Sequence, residues 1–110
     1  MLDAGTFKMR PGTLELIAGI AMSGVEGAAS IAMRADHPED QKKRKALSKG
    51  IDAQVEVERV TFNIEVNLDY GRDFLAAADR IQREVSRAIE TMVGWDVAAV
   101  NVNVVGVNAP

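Results

Sequence analysis

The sequence predicts an α/β domain of the α+β type: two layers, with one mixed sheet of about four strands and two helices packed mainly on one face. Two observations carry that expectation. Val60, Phe62, Ile64, Val66, Leu68 and Tyr70 alternate strictly with Thr61, Asn63, Glu65, Asn67 and Asp69, the period of a strand with one buried face. After Gly71 the period lengthens. Phe74, Ala78, Ile81, Val85, Ala88 and Met92 then recur at steps of three or four, along one stripe of a helix about 20 residues and roughly 30 Å long. Asp73 is placed to cap the first turn of that helix, and Gly94 to end it in a left-handed conformation.

The other elements follow in order. Residues 1–10 carry little pattern beyond Phe7 and Met9 and read as an arm or a short edge strand, punctuated by Pro11 and Gly12. Thr13 is expected as the N-cap of a helix over Leu14–Ser23. Leu14, Ile17, Ala18 and Ala21 share one face of it, Leu16 and Ile20 flank them, and Glu15 is its single charge. A helix so apolar on nearly every side is sandwiched in a core or shared with another subunit. Gly24 to Gly27 stops it, and Ala28–Met33 reads as a short strand of small residues.

Arg34–Gly50 breaks the composition with His37, Pro38 and the run Lys42-Lys43-Arg44-Lys45, and it has no apolar period, so an exposed basic loop is expected there. Ile51–Glu58 is a second strand, with Ile51, Ala53, Val55 and Val57 inward and Asp52, Gln54, Glu56 and Glu58 outward. It should form a hairpin with Val60–Tyr70, although the connection at Glu58-Arg59 lacks the Asn-Gly or Asp-Gly of a two-residue turn. The last strand is Val97–Val107, where Val100, Val102 and Val104 alternate with Asn101 and Asn103. A strand, helix, strand succession places it parallel to Val60–Tyr70, beside it or one position away.

With 110 residues the chain reads as a single domain, residues 1–110, with its core at about 13–107 and the exposed basic loop at 34–50. The absence of cysteine excludes disulfides, thiolate catalysis and Cys-ligated zinc, and it suits a reducing cytoplasm. No signal peptide is recognisable at the start, and no apolar run approaches the ~20 residues of a membrane span, so the expected location is cytoplasmic or peripheral at the inner face of the membrane. Thirteen basic and sixteen acidic residues leave a net charge of -3, which argues against a general nucleic-acid binder.

Few residues invite a chemical role. Lys42, Lys43, Arg44 and Lys45 form a candidate contact for an acidic partner or an anionic lipid surface, set against the plainer reading of a solvated loop. The spacing of Gly24 and Gly27 is similar to the backbone-clamping loop of KH domains, but Glu26 stands where that loop needs positive charge. Glu56 and Glu65, on the outer face of the sheet, could be imagined as an acid/base or metal-binding pair, although strict alternation already makes that face polar. His37 beside Pro38 is a lone imidazole in a loop, and Asp79 with Arg83 and Arg80 with Glu84 have the i,i+4 spacing of surface pairs. No phosphate loop, nucleophile elbow or metal-ligand cluster is present in the sequence, so no catalytic residue, metal ligand or cofactor is expected.

The order of the pieces resembles a known family. Leu14-Glu15-Leu16-Ile17-Ala18-Gly19-Ile20-Ala21, Val25-Glu26-Gly27 and Lys49-Gly50-Ile51 are similar to the first half of the bacterial alkaline shock proteins. Val66-Asn67-Leu68-Asp69-Tyr70-Gly71, then Ile81-Gln82 and Val85, Met92-Val93-Gly94-Trp95 and Val100-Asn101-Val102-Asn103-Val104 resemble their closing strand, helix and strand. The likeness covers roughly residues 13–107 and departs at the basic loop and in the near absence of a leading strand. It implies a small non-enzymatic cytoplasmic scaffold of the cell-envelope stress response, forming homo-oligomers and docking to a small membrane-anchored protein partner. A second branch implies instead a regulatory module acting on fatty-acid synthesis at the acetyl-CoA carboxylase step. An RNA-binding module, through Gly24–Gly27 and the basic loop, is the weaker alternative.

Overall fold

The computed structural model describes residues 9–25, 48–71 and 73–109. Its elements are α1 (Thr13–Ser23), β1 (Ile51–Glu56), β2 (Arg59–Asp69), α2 (Phe74–Met92) and β3 (Asp96–Asn108). The strands form a three-stranded sheet in the order β1-β2-β3, with β1 antiparallel and β3 parallel to the central β2. Among the described residues the sheet is therefore mixed, as expected, with three of the about four expected strands; the expected strand at Ala28–Met33 lies outside the described residues.

β2 is central because its alternate residues are the most apolar in the chain. Val60, Phe62, Ile64, Val66 and Leu68 are all buried, and only a strand with neighbours on both sides and helices above can bury that whole row. α2 lays Ala77, Ile81, Val85 and Ile89 on this face, and α1 adds Leu14, Ala18 and Met22 while packing against α2 and β1. The stripe on α2 is thus centred on Ala77 and Ile89 as well as Ile81 and Val85. Phe74, Ala78 and Ala88 are half-buried at its margin, and Met92 is 70% exposed, contrary to expectation, because the buried stripe advances by four from Ala77 to Ile89 and is continued by the half-buried Val93, which leaves Met92 to one side.

The helix ends are set by short-range chemistry. Asp73 caps α2 as its sequence position predicts, its Oδ1 accepting the Ala76 N–H at 3.1 Å. Gly94, at φ 80°, ends the helix, and its N–H donates to the Ile89 carbonyl at 3.2 Å. At α1 the expectation fails: Thr13 is the first helical residue, and Gly12 is the cap. Pro11 and Gly12 form a turn in which Gly12 takes φ 87°, ψ -7°, with the Thr13 N–H on the Arg10 carbonyl, and this aims the Gly12 carbonyl at the Leu16 N–H.

The hairpin closes by a two-residue turn, Val57-Glu58, between the paired Glu56 and Arg59. Its second residue, Glu58, holds φ 52°, a left-handed conformation normally left to Gly, Asn or Asp. The alternation predicts Val55 and Val57 inward, yet they are 51% and 94% exposed: Val55 lies on the edge strand opposite the buried Val60, and Val57 lies in the turn past the last pair. Tyr70 fails the same expectation at the opposite end, beyond the last pair of β2.

Candidate interaction surface

The outer face of the sheet is polar from edge to edge. Asp52 pairs with Asn63 across β1 and β2, and Asn63 pairs with Asn101 across β2 and β3. The Asn101 amide donates to Asn63 Oδ1 at 3.0 Å, and farther along the Asn108 amide reaches Asp69 Oδ1 at 3.5 Å. Glu65 lies opposite Asn103, and Asn67 opposite Gly106. These are solvent-facing cross-strand pairs of the kind that fix register without burying charge.

The imagined Glu56 and Glu65 pair is not formed. Glu56 is paired with Arg59, six positions along β2 from Glu65, which at 3.3 Å per residue puts the two strand positions roughly 20 Å apart. Of the other residues singled out, Asp79 and Arg83 do form an exposed ion pair on α2. Lys42, Lys43, Arg44 and Lys45, His37 and Gly27 lie outside the described residues. Among the described residues no polar or charged side chain is buried, and no group of His, Asp or Glu is placed to hold a metal ion. No helix among them is long and apolar enough to cross a membrane.

What the sequence did not single out is the outer edge of β3. Among the described residues this strand, thirteen residues long, has β2 on one side and no strand on the other. Two register shifts interrupt it: Ala98 is extra between the Val60–Val97 and Thr61–Ala99 pairs, and Val105 between the Val66–Val104 and Asn67–Gly106 pairs. Val104, Val105 and Val107 are 39%, 58% and 48% exposed. Gln82 of α2 reaches over this edge, its Nε2 donating to the Val100 carbonyl at 3.1 Å. The sequence signal was available: Val104-Val105-Gly106-Val107 breaks the two-residue alternation, which is how a bulge reads in a sequence.

Two comparisons place these features among known proteins, while no solved structure matches the chain. An uncharacterized protein, Spy1535, of Streptococcus pyogenes serotype M6 is 34% identical over 106 residues, covering 96% of this chain and 81% of that protein. The alkaline shock protein family, described as having a cell envelope-related function, matches residues 2–109. The strand, helix and strand that carry the resemblance lie within a match of nearly the whole length, and the chain belongs to the alkaline shock protein family.

Proposed function

We propose that this chain is a non-enzymatic interaction protein of the cell envelope, working at the cytoplasmic side, which associates with copies of itself and docks to a small membrane-anchored partner. The observation that supports the reading is the edge of β3 that no strand covers among the described residues, since an unpaired strand edge recruits another strand unless it is blocked. In this reading Lys42, Lys43, Arg44 and Lys45 supply an electrostatic contact to an acidic partner or an anionic surface.

The test is in-cell cross-linking of the tagged protein, followed by identification of what is captured. Recovery of a small membrane protein together with additional copies of the chain is the expected result. Recovery of acetyl-CoA carboxylase subunits with nothing from the membrane would replace this reading with that of a metabolic regulator, and recovery of RNA alone would replace it with a nucleic-acid role. Changing Lys42, Lys43, Arg44 and Lys45 to Gln should weaken capture of the membrane partner while leaving self-capture intact.

A further inference from the structure

We infer that the outer edge of β3 pairs with the same edge of a second copy: the run Ala99–Val104 lies antiparallel to itself about a two-fold axis at Val102, joining two sheets into one. This rests on the self-association proposed above and names its surface and symmetry.

Sheets protect their edges with charges, prolines or short strands, yet from Val97 to Asn108 there is neither a charged residue nor a proline. Between the bulges at Ala98 and Val105, the register with β2 runs unbroken from Ala99 to Val104, which is the length of an ordinary strand. Gln82 identifies the outward groups. Its bond to the Val100 carbonyl shows that Val100 directs its backbone groups away from β2, and by the two-residue period Val102 and Val104 direct theirs the same way.

The edge is also self-complementary. With Val102 on the axis, Val100 lies opposite the partner's Val104 and Asn101 opposite the partner's Asn103. Valine then meets valine on the helix-covered face, asparagine meets asparagine on the open face, and no charge enters the seam. The opposite edge of the sheet is less suited to this, because Asp52 and Glu56 flank Gln54 on its open face. Two β1 strands paired about Gln54 would set Asp52 against the partner's Glu56, opposing like charges directly. Joining β3 to β1 would leave a free edge at each end and propagate without closing, whereas β3 on β3 closes as a dimer.

The experiment is sedimentation equilibrium on the full chain and on two double variants, Asn101→Asp with Asn103→Asp and Asn101→Lys with Asn103→Lys. Both positions are exposed but face Asn63 and Glu65 within the sheet, so the fold of each variant is checked by circular dichroism and urea unfolding before its association is compared. The wild type is expected as a reversible dimer at high micromolar concentration. Each double variant should dimerise roughly tenfold or more weakly, because like charges then face one another twice across the seam. Mixing the acidic and basic variants should restore the dimer, which a loss of folding could not produce. A wild type that stays monomeric overturns the self-association reading itself. Dimers undiminished in both variants overturn the β3 surface while leaving self-association standing, and growth beyond the dimer that depends on β1 residues overturns the closed two-fold.

Discussion

Gly50 and Glu65 meet backbone to backbone: the Gly50 carbonyl accepts the Glu65 N–H at 2.8 Å, and a Cβ added to Gly50 would lie 2.8 Å from the Glu65 carbonyl oxygen. Gly50 also holds φ +77°, so a side chain there meets both a strained conformation and a rigid backbone atom. Gly50→Ala should therefore cost about 2–3 kcal/mol of stability, by urea unfolding. Gly94 provides the control. Its φ is +80° but its surroundings are open, so Gly94→Ala should cost only about 1 kcal/mol, and equal losses at the two sites would show that the close approach is immaterial.

The cap of α2 separates hydrogen bonding from charge. Asp73 holds the Ala76 N–H through Oδ1, and it stands at the positive end of a nineteen-residue helix. Asp73→Ala should destabilise the domain by about 1 kcal/mol, while Asp73→Asn, which keeps the acceptor, should lose only a few tenths. A thermal melt of the two variants measures the difference directly, and similar losses in both would assign the effect to charge.

Glu58 is expected to be a site of gain. Its left-handed φ of 52° has no side-chain compensation among the described contacts, and its carbonyl, which accepts the Asp96 N–H at 3.1 Å, remains in any substitution. Glu58→Asn should stabilise the hairpin by roughly 0.5–1 kcal/mol, since Asn tolerates that conformation. A lower urea midpoint would mean that the Glu58 side chain contributes something that its exposed position does not reveal.

The parts of the fold legible in the sequence are those set by local chemistry. The alternation of β2, the helical period of α2, the Asp73 cap and the Gly94 stop need no knowledge of neighbours, and the parallel placement of β3 follows from the intervening helix. The failures lie at the ends of elements. Val55, Val57, Tyr70 and Met92 continue the apolar period yet are exposed: Val55 sits on an edge strand, Val57 and Tyr70 lie past the last pairs of their strands, and Met92 falls beside a stripe that Val93 continues, none of which a period reveals. Thr13 lost the cap to Gly12 because the Pro11-Gly12 turn placed a backbone carbonyl there first. The candidate surface was less legible still. Glu56 and Glu65 share a face by parity alone, while hairpin register separates them, and the Gln82–Val100 contact joins residues eighteen apart that only packing could bring together.

That contact gives the last expectation. The Gln82 amide occupies the Val100 carbonyl, the same acceptor that the partner's Val104 N–H needs when two β3 edges pair about Val102. Gln82 lies on the exposed side of α2, so its removal opens no cavity and frees the Val100 carbonyl at the edge of the sheet. Gln82→Ala should therefore change the urea midpoint little, while tightening the dimer by about twofold to fivefold, the worth of one freed hydrogen bond. Sedimentation equilibrium beside the wild type measures this. A dimer weakened by Gln82→Ala would mean that the amide bridges the two copies, and the Val100 carbonyl would then have to be removed from the seam.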